Sequence, residues 1–400
     1  MRPWSIQGQR PLSGWRSVLS LRVPWTRIDW PILFLAGLFT ALGLVLVRQM
    51  QEVDELLGRN QPVDAAKQLQ RMALAAPFLA LGLLVRPRWL RRNAFLVYGA
   101  ALALVCLVPL IGEERNGARR WIQTPIGFEL QPSEFVKVAV IVALARALYR
   151  TRLERARDWR LPALLGLVPM ALVAAQPDLG TALTLVPVTL GLFWVAGARA
   201  RVLVALTLAG ALLGAGAWRF HWIQGYQKKR IDTWVTAFDA GSLRENRTGA
   251  AYHAYQARVA IGNGGVGGRG LGQGVANEAG HLPERDCDSI FAVIAEEGGF
   301  LGASALVAAY LFFAGLFLAA AGQTRERFSR LVIAGAGLYF AAHFTINVGV
   351  NLGLLPMTGL TLPLVSTGGS SLLASFLMLG LALGLSARAE VALDLDSFRA

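Results

Sequence analysis

An all-α, polytopic integral membrane protein with ten transmembrane helices is the fold class this sequence predicts, and three observations predict it. Hydrophobic residues make up 54% of the 400 positions and charged residues only 16%, which is too apolar for an ordinary soluble domain. Apolar runs of about 17 to 25 residues, long enough to cross ~30 Å of hydrocarbon as helix, recur along nearly the whole chain. Arginine concentrates in alternate short loops, the bias that sets orientation in a bilayer.

The spans centre on residues 31–49, 67–85, 94–112, 133–149, 161–175, 180–197, 201–217, 289–320, 329–351 and 370–386. The first lacks a small-residue cleavage site and is followed by further spans, so it is expected to be a retained helix and not a signal peptide. RPRWLRRN follows span two, YRTRLERARDWR span four, GARAR span six and GQTRERFSR span eight. With an even number of spans, these loops share one side with an N-terminal tail (1–28; Arg2, Arg10, Arg16, Arg22, Arg27) and a C-terminal tail (389–400). That side is expected to be cytoplasmic, with residues 29–388 forming one membrane domain. The net charge of +14 is then a topology signal. No basic patch interleaved with aromatics speaks for nucleic acid. Cys106 and Cys287 are too few for a disulfide framework, and the histidines at 221, 253, 281 and 343 have no zinc spacing.

On the opposite side lies one long insertion, 218–287, between spans seven and eight. Loops of that length inside a compact fold are usually functional. It carries GYQKKRID, with Lys228, Lys229 and Arg230 in a row, and then GNGGVGGRGLGQG. Gly262, Gly264 and Gly267 match G-x-G-x-x-G, but no βαβ unit surrounds them, so dinucleotide binding is disfavoured. Backbone that bends tightly or approaches a ligand closely is the better account, and a flexible surface loop is the plain alternative. A second outer loop, Glu113 to Glu134, places Arg115, Arg119 and Arg120 where orientation disfavours cations. Together with Lys228, Lys229, Arg230 and Arg285 they suit an anionic group such as phosphate, the alternative being lipid headgroups.

Ionisable residues at membrane depth are costly, and they mark either a site or an internal pair. Glu134 and Lys137, three apart at the start of span four, share a helix face and suit pairing. Asp178 lies in QPDLG, where the chain breaks between spans five and six. Glu296 and Glu297 sit eight and nine residues beyond Asp288, some 12 to 14 Å deeper at ~1.5 Å per residue, and are expected to pair between helices. Asp288 falls at a helix start, where a carboxylate either caps the N-terminus or acts as a base beside cations.

Taken together, GARRWI, FELQPSEFVKVAV, QPDLGTAL, YQKKRI, LPERDCDSIFAVIAEEGGFLG and NVGVNLGLLPMTGLTLPLVSTGGSSL resemble the SEDS family (shape, elongation, division and sporulation). The likeness is nearest its RodA and FtsW branches, leaning slightly to RodA, and runs in order from span one to span ten. It implies a glycosyltransferase that polymerises lipid II into peptidoglycan strands on the outer face of the bacterial cytoplasmic membrane. The family's catalytic aspartate falls on Asp288. Its Q-P-S-E-x-x-K block falls on Glu134 and Lys137, its Q-P-D-x-G block on Asp178, and the arginine before tryptophan on Arg120. Asp286 and Cys287 replace the usual His-Thr, Ser289 a Phe, and Thr367 the Tyr of V-S-Y-G-G. Asp286 therefore sets a second negative charge near Asp288, which tends to raise its proton affinity.

The implied reaction has Asp288 as general base, with Arg120, Lys228, Lys229, Arg230 and Arg285 facing an undecaprenyl pyrophosphate leaving group, optionally assisted by a divalent cation, Mg or Mn. A class B penicillin-binding protein, a transpeptidase, and other elongation or division proteins are the implied partners. The rival functions are a transporter or flippase of lipid-linked sugars and a non-catalytic scaffold for a transpeptidase.

Overall fold

The structure is a computed structural model and describes residues 18–20, 23–59, 63–115, 118–125, 128–151, 153–219, 225–236, 250–275, 280 and 282–389. Most of both expected tails, much of the 218–287 insertion and His281 lie outside the described residues. Helices stand at all ten expected positions: α1 (Trp30–Leu56), α2 (Ala65–Leu84), α3 (Pro87–Ile111), α4 (Pro132–Leu148), α5 (Ala156–Ala175), α6 (Leu179–Val195), α7 (Ala200–Arg219), and, after two further helices, α10 (Ile290–Gln323), α11 (Arg327–Asn351) and α12 (Gly369–Arg388). The two intervening helices are α8 (Tyr226–Thr236) and α9 (Ala250–Asn263).

Seven of these helices, α1, α3, α5, α7, α10, α11 and α12, are long and apolar enough to cross a membrane. α6 is apolar but has 17 residues. α2 opens with Lys67 and Arg71, and α4 carries Glu134, Lys137 and Arg146 within 17 residues. Those polar residues are the reason the two helices fall short on composition.

α4 is the hub of the bundle. It buries 14 of its 17 residues, so it has no lipid-facing stripe, and α3, α5, α6, α11 and α12 pack around it. α7 is the opposite case: none of its residues is buried, and Leu206, Leu208, Leu212 and Leu213 face outward, as expected of a helix whose solvent is hydrocarbon. Stacked rings tie α1 to α10 and α11, with Phe39 at 4.1 Å from Tyr310 and Tyr310 at 4.4 Å from Phe344 between centroids.

The loop from Glu113 to Glu134 holds a small antiparallel sheet, β1 (Glu113–Arg115), β2 (Ala118–Gln123) and β3 (Glu129–Leu130), in which Glu113 opposes Trp121 and Ile122 opposes Leu130. Three short strands leave little trace as a hydrophobic pattern, and the all-α fold class expected from the sequence included none.

Helix association within lipid gains little from apolar burial and depends on close approach at small residues. α2 and α12 cross with Gly82, Gly380 and Gly384 at the contact. A Cβ added at Gly380 would overlap the Leu79 carbonyl oxygen, which belongs to rigid backbone. Gly380→Leu is therefore expected to cost ~1–3 kcal/mol or more and to lower the melting temperature in detergent. Gly99→Ala, which meets open space on α3, is expected to leave stability unchanged or raise it by up to ~1 kcal/mol.

Candidate functional site

The starts of α2, α4, α6 and α12 and the connection between α11 and α12 surround a cavity of about 960 Å³. β2, α8, α9 and the loop before α10 complete its wall. Arginine-rich loops follow the ends of α2, α4 and α6 and precede α11, so the cavity opens at the other end of these helices.

Residues 282–289 shape the part of this wall that carries Asp288. The backbone turns at Glu284, held at φ 46°, and the amides of Cys287 and Ser289 both donate to the Glu284 carbonyl, at 3.0 and 3.2 Å. Asn347 and Asn351 on α11 donate side-chain N–H groups to the Asp288 carbonyl, each at 3.0 Å. The Ser366 hydroxyl donates to the Cys287 carbonyl. Thr367 binds Asp286 twice, its amide reaching the carbonyl at 3.0 Å and its hydroxyl the carboxylate at 2.7 Å. Asp286 and Thr367 are both positions at which the sequence departs from the motif it resembles, and they touch.

Ser289, not Asp288, is the N-cap of α10, and no side chain caps that end. The Asp288 carboxyl is thus free of the capping role. It is 9% exposed, it lines the cavity, and its Oδ1 has no hydrogen-bond partner among the described residues. Burial pushes its pKa up to about 7, with the charges of Glu284 and then Asp286 adding to the effect and Arg230 opposing it. The charge expected from Asp286 is present, but Glu284 contributes more. Glu284 is itself raised, by burial and by Asp286.

The cations expected at the outer face divide. Arg120 on β2 lines the cavity and donates to the carbonyls of Gln176 (3.2 Å) and Pro177 at the α5–α6 turn. Arg230 on α8 lines it and donates to the Met357 carbonyl at 3.0 Å. Lys228 does not line it, and Lys229 lies outside the described side chains. Arg285 corrects its expected placement: it is buried and bonds the Asp54 carboxylate of α1, so it is not part of the wall. Asp54 is fully buried and accepts also from Arg59 (2.6 Å) and the amide of Val63 (2.9 Å). This junction fastens the α1–α2 connection to the loop that presents Asp288.

Glu134 and Asp178 line the same cavity. Asp178 is the N-cap of α6, accepting from the Thr181 amide at 3.2 Å, and it also accepts from Gln131 (3.0 Å) and Ser133 (3.2 Å) at the start of α4. Glu134 and Lys137 pair at 2.7 Å as their spacing predicts. Lys137 lies behind the wall, and its Nζ also meets His343 Nε2 of α11 at 2.9 Å. The pair therefore extends to a second helix.

Glu296 and Glu297 are buried but lie outside the cavity. They mark the turn of α10 against which the glycine segment folds. The amides of Arg269 and Gly270 donate to the Glu296 and Glu297 carbonyls, each at 3.0 Å, and those of Phe300 and Leu301 return to Gly265 and Val266 at 2.9 and 3.2 Å. Gly299 breaks the helix there at φ 65°, and a Cβ on Gly268 or Gly299 would overlap the other strand of this clasp. The close approach that the glycines permit is thus to the protein's own backbone. A side-chain contact also joins Asn263 of α9 to Glu296, at 3.4 Å.

Among the charged and histidine residues of the wall, Lys67, Arg71, Glu129, His253 and Glu284 were absent from the sequence candidates. Lys67 and Arg71 had a legible signal, since two cations four apart share one helix face at the start of a span. Glu284 and His253 had none, because their approach to Asp288 and Arg230 depends on chain reversal. Burial and Arg230 hold the His253 pKa below its ordinary value.

The sequence matches the FtsW/RodA/SpoVE family of cell cycle proteins over residues 29–390. A probable peptidoglycan glycosyltransferase FtsW of Mycobacterium tuberculosis is 35% identical over 362 residues, covering 88% of this chain and 66% of that protein. The corresponding FtsW of Trichlorobacter lovleyi is 32% identical over 385 residues, covering 93% and 97%. Among solved structures, a chain from work on structural coordination of polymerization and crosslinking by a peptidoglycan synthase complex matches with a TM-score of 0.73. It is 32% identical and covers 90% of this chain and 98% of its own.

Asp54→Ala strands the buried Arg285 charge and is expected to cost about 3–5 kcal/mol. A thermal melt of the purified protein in detergent checks it, and an unchanged midpoint would show that the junction carries no stability.

Proposed function

The chain belongs to the FtsW/RodA/SpoVE cell cycle protein family, and from that premise we propose that it is a peptidoglycan glycosyltransferase that polymerises lipid II. The observation that carries this reading is the Asp288 carboxyl, buried at the wall of the cavity, with a pKa near neutrality and an oxygen left without a partner among the described residues. A carboxyl poised in that way is half deprotonated at neutral pH and matched to general-base work.

In the proposed step, the 4-hydroxyl of the acceptor sugar attacks the anomeric carbon of the donor. Its proton passes to Asp288, the bond from the anomeric carbon to the pyrophosphate oxygen breaks, and undecaprenyl pyrophosphate leaves with the electron pair. Asp288 then returns the proton to water. Arg120 and Arg230 are the expected candidates that line the cavity, and Lys67 and Arg71 add charge from α2. Fixed cations placed where negative charge develops lower the barrier without reorganising. Lys228 and Lys229 are assigned no contact, and Arg285 acts through Asp54 by holding the loop. Glu134, with Lys137 behind it, and Asp178 shape the floor as a hydrogen-bonded support.

No group of three or more His, Cys, Asp or Glu side chains among the described residues is arranged to hold a metal ion, and the Asp286 carboxylate is engaged by Thr367. The described residues therefore do not fit a protein-built Mg or Mn site.

For topology, the proposal is ten spans, with α4 shielded inside the bundle and both termini at the arginine-rich, cytoplasmic end of a bacterial inner membrane. The cavity then opens on the extracytoplasmic face, beside the long insertion. A helix that buries its polar residues against neighbours, as α4 does with Glu134 and Lys137, needs less apolar length than a lone anchor, which supports counting it. A class B penicillin-binding protein is the proposed partner, supported by the likeness to a chain of a synthase complex that couples polymerization with crosslinking.

Asp288→Asn is expected to reduce lipid II polymerisation by at least about 100-fold while the protein still folds, and full activity in this variant would overturn the assignment. Wild-type turnover is expected to rise about tenfold per pH unit below ~7 and to level off above it, because only the deprotonated base accepts the proton. Arg230→Ala removes a charge that lowers the Asp288 pKa, so this acid limb is expected to move to higher pH as the rate falls.

A further inference from the structure

The loop before α10 meets the α11–α12 connection through one residue pair. Thr367 offers its amide to the Asp286 carbonyl at 3.0 Å and its hydroxyl to Asp286 Oδ2 at 2.7 Å, with a second approach of the hydroxyl to the carbonyl at 3.1 Å. Thr367 is itself held from the other side, because Arg71 of α2 donates to its carbonyl at 2.6 Å. Three elements separated in sequence therefore converge on the residue two before Asp288. The neighbouring Ser366 hydroxyl donates to the Cys287 carbonyl and accepts from the Leu362 amide at 2.9 Å, so the contact extends along the loop.

We propose that Asp286 and Thr367 form a positioning pair for the base, in which the Thr367 hydroxyl anchors the Asp286 carboxylate so that the loop geometry and a fixed negative charge are delivered to Asp288 together. The proposal rests on Asp288 being the base. Without the hydroxyl, the carboxylate has rotational freedom, while the backbone bonds that join Thr367 to Asp286 and to Arg71 of α2 remain. Without the charge, the tie remains and only the electrostatics change.

The charged and titratable groups around Asp288 are few. Glu284, Asp286 and Cys287 share its loop, and Arg230 approaches from α8. His253 lines the same wall from α9 and Arg71 from α2, while α11 offers only the amides of Asn347 and Asn351. Two acids thus raise the proton affinity of Asp288, and Arg230 opposes them. Removing the Asp286 charge must move that affinity down, which a purely structural role would not do.

Two variants separate the functions of the pair, read by lipid II polymerisation across pH 5 to 9 with purified full-length protein. Asp286→Asn keeps an acceptor for Thr367 and removes the charge, and it is expected to shift the acid limb to lower pH by roughly a few tenths of a unit or more. Thr367→Val keeps the charge and removes the donor, and it is expected to lower kcat roughly tenfold with KM retained, with Thr367→Ser restoring the rate. The position of the limb does not depend on how much of a variant is folded, so partial misfolding does not hide the result. An Asp286→Asn limb that coincides with the wild-type limb overturns the proposal while leaving the base intact, as does a Thr367→Val enzyme with unchanged kcat. A wild-type profile without a limb near neutrality, together with an active Asp288→Asn enzyme, overturns both the pair and the base it serves.

Discussion

A polar group at membrane depth has no water to fall back on, so it must find a partner inside the protein or face a cavity. That constraint organises this bundle. Asp54 gathers Arg59, Arg285 and the Val63 amide around one fully buried carboxylate. Glu134 is joined by Lys137, and Lys137 in turn by His343 on another helix. Asp178 is surrounded by Thr181, Gln131 and Ser133. The Asp288 carboxyl departs from this pattern: its Oδ1, like Glu134 Oε2, is left without a partner among the described residues, although the Asp288 carbonyl is fixed by two asparagines.

The exception depends on the rule. A loop that turns at a positive φ and places acids at 284, 286 and 288 in close order would repel itself apart if it were loose. Asp54 holds it through Arg285, α11 holds it through Asn347 and Asn351, and the α11–α12 connection holds it through Ser366 and Thr367. Each anchor is a neutral or charge-compensated bond. The Asp288 carboxyl, which faces the cavity, is one that these anchors leave unused.

Parts of this were legible from residue spacing alone. The i, i+3 spacing of Glu134 and Lys137 predicts their contact, and the QPDLG break predicts that Asp178 opens a helix, as it does at the N-cap of α6. Lys67 and Arg71 were equally legible as two cations on one face, yet the surrounding apolar run masked them as part of a span. Arg285 shows the limit in the other direction. Its position beside Asp288 suggested a phosphate contact, but adjacent residues on a turning backbone point different ways, and its partner lies 231 positions away on α1. For the glycine segment, spacing was informative about close approach and silent about what is approached. Its target proved to be α10 at the break at Gly299.

Apolar run length, the arginine bias of alternate loops and short-range spacing are local quantities, so the sequence by itself determined where helices form, which ends share a side and which residues within one helix can pair. The wall of the cavity is not local. Arg71 and Thr367 are 296 positions apart, and Gln131 and Ser370 are 239 apart, yet both contacts form where helix mouths converge on one face. Only the tertiary structure decided that convergence. The reason is that small-residue crossings such as Gly82 with Gly380, and the all-round burial of α4, set how the helices rotate and slide against one another. That rotation decides which charges share the cavity with Asp288 and which, like Arg285 in its bond to Asp54, are consumed in holding the loop that carries it.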